Sequence, residues 1–446
     1  EIQHLVLSLL SLKEAARTSL VPRSWRKLWT RYPNLCFDGS KDGSTDVDSV
    51  KIERPKFIET VNSIIQQHSG IGLDKFSVRY SLRMDSDILN RWICFATGSK
   101  ANIIDMNLRP KGNYVGPTKQ VHHFPLEALG AQGRPFIRCL FLTNVSIKPH
   151  SDICGFTKLR SLHLHCIQII GDLSGLLLSC SILEDLELIA CSGVADLNIP
   201  QQLDKLRHLL ISNVRVQMIR FNVPNLSRFG YKGTAIPIVL HGCSKLQKAT
   251  LTFHPTWLEQ DNNKVLGHVF HGIPSVSAVK MLHVHANMHT NLPVWSSQVH
   301  TSTTRPACMF LNLKHLTYEI LIFTKAPNRH SGILQLSRYL AFAPQLETLE
   351  LHMMHYVPVA FGHCWHGEGV SYHMRHHDRL NTVYMSGFRC YRAQVELLCG
   401  ILEMGAELEH VTIEPMVRIP CSPGSVNLGI PQGEICEWAH RTQNGL

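Results

Sequence analysis

The chain has 446 residues, of which 44% are hydrophobic and 17% are charged. This length suits about two or three domains or one long repeat array, and the composition excludes an intrinsically disordered protein. A formal net charge of +10 favours acidic partners only weakly, because the basic residues are spread along the chain. No run of about 18 apolar residues occurs, so we expect no membrane-spanning segment and no membrane partner.

The 14 cysteines stand singly, without any Cys-x-x-Cys pair. Zinc ribbons and disulfide frameworks both use closely spaced cysteines, so the pattern favours neither of them. Cysteines that are neither paired nor clustered are typical of a reducing compartment. We therefore expect a cytoplasmic or nuclear protein.

Residues 1–37 predict three short helices. Ser11, with Glu14 three residues later, has the pattern of a helix N-cap, and Pro22 suits the first turn of a third helix that reaches Trp29. The first helix carries an apolar stripe made of Ile2, Leu5, Val6, Leu9 and Leu10. Three such helices bury too little surface to be stable alone, so we expect this segment to dock on another protein.

Residues 38–72 are predicted to be a linker followed by a capping helix. The linker is a polar stretch rich in Gly, Ser and Asp at positions 38–49. Apolar residues then recur at helical spacing between Phe57 and Ile65, before a stop at Gly70. We expect this helix to cap the first repeat, because a terminal repeat has one side without a neighbour.

Residues 73–415 carry a repeated pattern whose clearest copy is Leu159-x-x-Leu162-x-Leu164. Apolar residues two apart predict a strand with one buried face. A return every 20 to 24 residues between 137 and 246 is the spacing of leucine-rich repeats. The predicted fold is therefore an α/β leucine-rich-repeat solenoid, with a curved parallel sheet and with helices, 3₁₀ turns or extended segments on its convex side.

Thirteen copies of the pattern are found, and Cys191 falls where such repeats carry Asn or Cys to close the turn after the strand. The copies begin at Leu73, Ile103, Ile137, Leu159, Leu183, Leu206, Leu226, Leu246, Val279, Leu313, Leu346, Leu380 and Leu408. The second copy is interpreted as Ile103, Met106 and Leu108. Residues 286–310 and 355–378 lack the period, and we expect both to be loops.

The first 37 residues resemble the F-box of plant F-box proteins with leucine-rich repeats, through the run Val6-Leu7, Leu10, Leu12-Lys13, Ala15-Ala16-Arg17, Val21, Arg23 and Trp25-Arg26. The resemblance implies docking on a Skp-type adaptor, and through it on a cullin-based ubiquitin ligase. The residues expected to contact the adaptor are Ile2, Val6, Leu7, Leu10, Leu12, Val21 and Trp25. The chain begins with Glu1, lacks the family's opening Leu-Pro pair and has Pro22 in place of the usual Cys. We expect an incomplete N-terminus and weaker docking, by about ten- to a hundred-fold for one lost Leu.

A second resemblance covers residues 379–415, which predict a strand, an amphipathic helix with Val395, Leu398 and Leu402, and another strand. This order is similar to the C-terminal FBD-type module of the same plant proteins. Residues 416–446 are expected to form a loosely ordered tail.

Catalytic signatures are absent from the sequence: it has no Walker loop, no Gly-x-Gly-x-x-Gly after a strand, no His-Glu-x-x-His and no Gly-x-Ser-x-Gly. The loop at 355–378 has the spacing of metal ligands in His363-x-x-His366 and His373-x-x-His376. Its Gly-rich context gives no scaffold for four ligands, so we expect a solvated loop with no metal and no cofactor. An enzyme that uses this loop is the least favoured alternative.

Basic residues alternate with aromatic residues between Arg23 and Tyr32, as in some nucleic-acid sites. At helical spacing, however, the aromatic side chains of Trp25 and Trp29 face inward and the cations face solvent. We therefore expect no nucleic-acid partner.

The concave face of the predicted sheet is unusually rich in histidine. Thirteen repeats give 39 positions beside the strand anchors, and eight of them are His, although 27 His in 446 residues predict between two and three. The expected target-binding residues are Ser161, His163, His165, Asp185, Glu187, His208, Arg228, His283, His285, His315, His352 and His410. Target binding through imidazoles would vary between about pH 5.5 and 7.5. If His at these positions is only a sequence preference of this repeat type, target binding would not depend on pH in this range.

The resemblance to plant F-box proteins, together with the predicted repeat face, implies a substrate-recognition adaptor, without catalytic residues, that brings a target protein to a Skp–cullin–F-box ubiquitin ligase. The alternative is a leucine-rich-repeat scaffold that binds proteins outside any ligase.

Overall fold

The computed structural model describes residues 10, 12–17, 28–39, 47–80, 85–109, 121–130, 136–149, 156–199, 203–253, 269, 278–289, 310–323, 328, 332–355 and 376–417. The chain divides into two compact units, Glu1–Leu226 and Ser227–Leu446. Within the described residues, no helix is long and apolar enough to cross a membrane.

The first unit is organised around seven parallel strands that pair in chain order. They are β1 Asn34–Asp38, β2 Lys75–Arg79, β3 Ile103–Asn107, β5 Cys139–Thr143, β7 Ser161–His165, β9 Asp185–Ile189 and β11 His208–Ser212. The short strands β4 His122–His123, β6 Val145–Ile147 and β8 Gln168–Ile169 pair in one small sheet, and β10 Asp196–Ile199 and β12 Met218–Asn222 pair in another. Both small sheets agree with the extended segments that the predicted fold includes.

The helices of the first unit are α1 Leu12–Arg17, α2 Val47–Gln67, α3 Ser86–Gly98, α4 Glu127–Gly130 and α5 Leu173–Leu178, with a 3₁₀ turn at Leu28–Arg31. Helix α3 buries one face through Leu89, Trp92 and Ile93 and contacts α2. The Trp92 indole N–H donates a hydrogen bond of 2.8 Å to Asn62 Oδ1 on α2, which fixes the two helices side by side.

Repeat anchors form the core of the first unit. Leu162 and Leu164 on β7, and Leu186 and Leu188 on β9, are each at most 1% exposed, whereas the residues between them are half-exposed. Burial of one such Leu side chain stabilises the fold by about 1.5–3 kcal/mol. Stacking of equivalent anchors from strand to strand therefore supplies the core that no single repeat could form.

A recurring backbone feature ends the strands of the first unit. The residues directly after β5, β7, β9 and β11 have φ values between 52° and 59°, and they are Asn144, Cys166, Ala190 and Asn213. The N–H of Cys166 donates to the Ile189 carbonyl of the next strand, which helps to hold this left-handed turn. The Cys191 thiol donates to the Leu164 carbonyl of the preceding repeat at 3.1 Å, so the predicted role of Cys191 is confirmed.

The second unit also has seven parallel strands that pair in chain order. They are β13 Arg228–Gly233, β15 Lys248–Phe253, β16 Met281–His289, β17 His315–Phe323, β18 Thr348–His355, β19 Thr382–Ser386 and β20 His410–Glu414, and a further strand β14 spans Ile238–His241. Its helices are α6 Leu336–Leu340, after a 3₁₀ turn at Gly332–Gln335, and α7 Arg392–Met404.

The register of β3 differs from the sequence prediction. Ile104 lies opposite Phe76 and Leu140, and Met106 lies opposite Val78 and Leu142, so the interpretation of Ile103, Met106 and Leu108 as anchors is wrong by two residues. Ile103 is half-exposed, while Ile104 is fully buried. The error arose because a strand repeats every two residues, so an apolar run fits two registers equally well.

Helix α2 lies elsewhere than predicted. It begins at Val47, inside the expected linker, and it connects β1 to β2 instead of preceding the first strand. The paired sheet therefore begins at Asn34 and not after residue 73. Val61 and Ile65 are buried and Glu59 is exposed, so α2 packs its apolar side as an ordinary repeat helix does.

Two further elements correct the expected loops and the last helix. Strand β16 continues to His289, so residues 286–289 are not part of a loop. Helix α7 and its flanking strands follow the predicted order and bury Val395 and Leu398, but Leu402 is 42% exposed. The resemblance of this part to an FBD-type module stays a prediction.

Candidate functional site

Alternation along the parallel strands places the residues between the anchors on one face of each sheet. Ser161, His163 and His165 on β7 share this face, and Asp185 and Glu187 stand opposite Ser161 and His163 in register. We call this surface, carried in each unit by the half-exposed residues between the anchors, the ladder face. It is the surface for which the sequence predicts concavity and target binding, and neighbouring strands lie about 4.8 Å apart on it.

Four ladder residues of the first unit, His163, His165, Asp185 and Glu187, make up the β7–β9 cluster. His163 Nε2 lies 3.3 Å from Asp185 Oδ2, and His163 Nδ1 lies 3.4 Å from Glu187 Oε2. His165 Nε2 lies 3.2 Å from the same Glu187 oxygen. Two imidazoles and two carboxylates therefore meet on adjacent strands.

Packing fixes the rings of the β7–β9 cluster. The Phe141 ring on β5 meets the His163 ring edge-on, with ring centroids 4.7 Å apart, and the His163 and His165 rings are nearly parallel at 6.2 Å. The side chains of His163 and His165 are 19% and 35% exposed, so the cluster is half-buried and still open to a ligand.

The second unit has a similar group on β16 and β17, made of His283, His285 and Glu319, which we call the β16–β17 cluster. Glu319 Oε1 lies 3.2 Å from His283 Nε2, and Glu319 Oε2 lies 3.0 Å from His285 Nδ1. The Glu319 side chain is only 7% exposed. Burial by itself raises the pKa of Glu319, but the two imidazoles outweigh it and lower the pKa to about 2.

The contact of Glu319 with His283 is close but poorly aligned. Among the described residues, neither His283 Nε2 nor Glu319 Oε1 has a partner with hydrogen-bond geometry. The contact between Glu319 and His285, by contrast, has the geometry of a hydrogen bond.

A polar network continues along β17 and β18. The Thr317 hydroxyl donates to Glu350 Oε2 at 3.1 Å, and His315 Nε2 lies 3.1 Å from the Thr317 oxygen and 3.5 Å from the Glu350 carboxylate. Thr317 is buried although it lies on the ladder face. The network is therefore part of the packed sheet as well as part of the surface.

His352 extends this network to β19. Its Nδ1 lies 2.8 Å from the Ser386 hydroxyl oxygen, and its Nε2 lies 3.8 Å from Glu350. Burial lowers the pKa of His352, and the neighbouring Glu319 and Glu350 carboxylates only partly oppose that effect. The Tyr384 hydroxyl donates to Glu414 on β20 at 2.7 Å, so the polar contacts reach the last described strand.

Four predicted target-binding residues lie outside these clusters and this network, and the first of them, Ser161, is half-exposed at the start of β7. His208 on β11 stands opposite Asp185 in register, whereas Arg228 and His410 are exposed at the starts of β13 and β20. All twelve predicted target-binding residues lie in described strands, but their role in binding a target stays a prediction.

A pocket of about 400 Å³ at β1–β3 is not among the sites that the sequence predicts. Its polar lining includes Asp38, Lys75, Arg79 and Asp105. Arg79 lies 3.6 Å from Asp38, and Lys75 lies 3.9 Å from Asp105. These residues lie on the ladder face. The signal in the sequence is the presence of acidic and basic residues at equivalent strand positions of successive repeats.

The predicted adaptor-binding residues Ile2, Val6, Leu7, Val21 and Trp25 lie outside the described residues. Leu10 is half-buried, and the Tyr32 hydroxyl donates to its carbonyl. Leu12 begins α1, which agrees with the predicted second helix and contacts β1. Ala15 of α1 is fully buried.

Most of the His-rich loop, including His363, His366 and His373, also lies outside the described residues. His377 is buried, and its Nε2 lies 2.9 Å from the Ala343 carbonyl oxygen. His376 Nδ1 lies 2.8 Å from the Met404 carbonyl oxygen. His377 is therefore packed at the end of the loop, whereas His376 is exposed, and the expectation of a solvated loop stays a prediction for the rest.

Comparison with known proteins agrees with the repeat architecture. Residues 64–427 match the family described as the At1g61320/AtMIF1 LRR domain, and residues 1–37 match the F-box domain. The chain is 25% identical over 243 residues to the F-box protein At3g03040 of Arabidopsis thaliana, an alignment covering 52% of this chain and 48% of that protein.

Two further relatives from Arabidopsis thaliana carry both domain names. The F-box/LRR-repeat protein At3g58900 is 26% identical over 249 residues, which cover 52% of this chain and 70% of that protein. The putative F-box/LRR-repeat protein At3g58880 is 34% identical over 105 residues, which cover 23% of each chain. The alignments thus span about a quarter, about half and just over two thirds of these relatives' lengths. The chain belongs to the At1g61320/AtMIF1-type leucine-rich-repeat family and is a plant F-box/leucine-rich-repeat protein.

Proposed function

We propose that this protein is the substrate-recognition adaptor of a Skp–cullin–F-box ubiquitin ligase. Residues 1–37 bind a Skp-type adaptor, and through it a cullin, while the ladder face binds a target protein. The observation that carries the proposal is the match of residues 1–37 to the F-box domain in a chain whose remainder is a repeat sheet. In this role the protein works in the cytoplasm or nucleus and needs neither nucleic acid nor a membrane.

The ladder face supports the binding part of the proposal. Its polar groups stand on paired parallel strands, where hydrogen bonds and packed anchors limit their motion. Binding groups that are fixed in advance lose less entropy when a partner binds. Rigid presentation also suits the mechanism, because an adaptor accelerates ubiquitin transfer by raising the effective concentration of a target Lys, with no catalytic residue of its own.

Co-elution with a purified Skp-type adaptor tests the docking part. The full chain at about 20 µM should elute with the adaptor in one complex. This requires a dissociation constant below about 20 µM, because a weaker complex dissociates during chromatography. Glu350→Lys, on the ladder face, should leave co-elution unchanged, whereas Trp25→Ala should weaken it. Failure of the unaltered folded chain to form the complex would favour the scaffold alternative.

A further inference from the structure

The β7–β9 cluster contains an electrostatic conflict that a cation would resolve. A neutral imidazole has one N–H donor and one lone pair. When His163 Nε2–H donates to Asp185, the lone pair of Nδ1 points towards the Glu187 carboxylate oxygen 3.4 Å away. Two electron-rich atoms at this distance repel each other unless a proton on Nδ1 or a metal ion lies between them.

We propose that His163 Nδ1, His165 Nε2 and Glu187 Oε2 form a binding site for a divalent transition metal of the zinc class. Within the described residues, this is the one group of three or more His, Cys, Asp or Glu side chains whose donor atoms all lie within 4.8 Å of one another. Two imidazoles and one carboxylate are a common ligand set of zinc sites that keep an open position.

The distances fit tetrahedral coordination. Ligands at about 2.0–2.1 Å from a tetrahedral zinc ion are about 3.3–3.4 Å apart. The Glu187 oxygen lies 3.2 Å from His165 Nε2 and 3.4 Å from His163 Nδ1. The third edge, between the two imidazole nitrogens, is at most 4.8 Å long and must close to about 3.4 Å when the ion binds.

Asp185 and Phe141 act as supports for the site. Asp185 accepts the Nε2–H of His163, which leaves Nδ1 free to bind metal, in the arrangement by which carboxylates orient zinc-ligating histidines. The edge-on contact with Phe141 fixes the ring plane. A fourth position faces outward on the ladder face and takes water or a side chain of a bound protein.

The residue types select the class of metal. Calcium and magnesium prefer oxygen ligands, whereas two imidazoles favour zinc and related transition metals. The prediction of no metal rested on the spacing of histidines within one loop. The ligands of this site belong to two repeats, and only the register that sets His163 opposite Glu187 brings them together.

The β16–β17 cluster provides an internal control. It has the same residue types, but Glu319 meets His283 with one oxygen and His285 with the other. The three side chains of this cluster therefore do not converge on a single point at which one ion could bind all of them. This inference goes beyond the adaptor function and does not depend on it, because metal binding needs neither the Skp-type adaptor nor a target.

Zinc titration of the full chain by calorimetry, after treatment with a chelator, tests the proposal. We expect a site with a dissociation constant on the order of micromolar or tighter. His165→Gln and Glu187→Gln should each weaken that site by roughly 100-fold or more, and Asp185→Asn by about 10–100-fold. His285→Gln, in the control cluster, should leave it unchanged.

Cobalt gives an independent readout of the same site. Co²⁺ bound by the unaltered chain should show the strong visible absorption of tetrahedral coordination, and His165→Gln should abolish it. Circular dichroism of each variant separates loss of metal from loss of fold, and His163→Gln replaces any variant that fails to fold. Zinc binding that is absent in the unaltered chain, or equally tight in His165→Gln and Glu187→Gln, would overturn the proposal.

Discussion

Glu319 is a carboxylate that is nearly excluded from solvent and yet held ionised. Its partners His283 and His285 approach from the adjacent strand within 3.2 Å and lower its pKa to about 2 from a usual value of 4.5, against the raising effect of burial. A carboxylate whose pKa is lower in the folded state stabilises the fold above its unfolded pKa. That contribution is lost as the pH falls from about 4.5 towards 2.

Replacement of Glu319 by Gln should therefore destabilise the protein at pH 7 by about 2 kcal/mol. This value is lower than the pKa shift alone would give, because solvent screens the half-exposed imidazoles. Urea unfolding at pH 7 and pH 3 should show a difference between the two proteins that shrinks at pH 3. Glu347→Gln is the matched control, because Glu347 pairs with Lys314 on the exposed surface and should change stability by no more than about 0.5 kcal/mol. Equal stability of Glu319→Gln and the unaltered protein at pH 7 would contradict this account.

At the scale of elements, the strands were predictable and their partners were not. Leu162, Leu164 and their equivalents recur with period two inside a longer period, and both periods are properties of the sequence alone. The register of β3 and the place of α2 depended on which neighbour each element packs against. Ile103 and Ile104 are chemically alike, so only pairing with Phe76 decides which of them is buried.

The junction after β19 shows how close adjacent repeats come. Gly387 has φ +70°, and a Cβ atom at this position would lie 1.9 Å from the Met353 carbonyl oxygen of β18. Gly72 has a similar φ of +75° with nothing within 4 Å of the corresponding Cβ position. A comparison of Gly387 with Gly72 therefore separates the free-energy cost of backbone strain from that of a steric collision.

Gly387→Ala should lower the free energy of unfolding by about 3 kcal/mol or more, because the strand junction must move to relieve the collision. Gly72→Ala should cost only about 1 kcal/mol, the strain of a left-handed alanine. Chemical denaturation of both variants checks the difference. Similar losses in the two variants would mean that β18 and the segment after β19 separate easily, against the packing described here.

At the scale of the whole molecule, the sequence predicted the class of the protein and the face that carries its polar groups. It did not predict which of those groups meet. His163 and Glu187, or His283 and Glu319, belong to different repeats, so their contact depends on strand register and on side-chain direction. The pocket beside β1 was missed for the same reason, since Asp38, Lys75 and Asp105 come from three strands.

Buried histidines in both units should make the whole protein sensitive to acid. Burial lowers the pKa of His68, His352 and His377, so the unfolded chain binds more protons than the folded chain as the pH falls below about 6.5. Folded stability therefore decreases from pH 7 to pH 5 through these three groups. Thermal unfolding of the triple variant H68Q/H352Q/H377Q should show a smaller drop in Tm between pH 7 and pH 5 than the unaltered protein. An equal or larger drop would mean that these rings accept protons in place, and that the acid response comes from the ladder-face pairs instead.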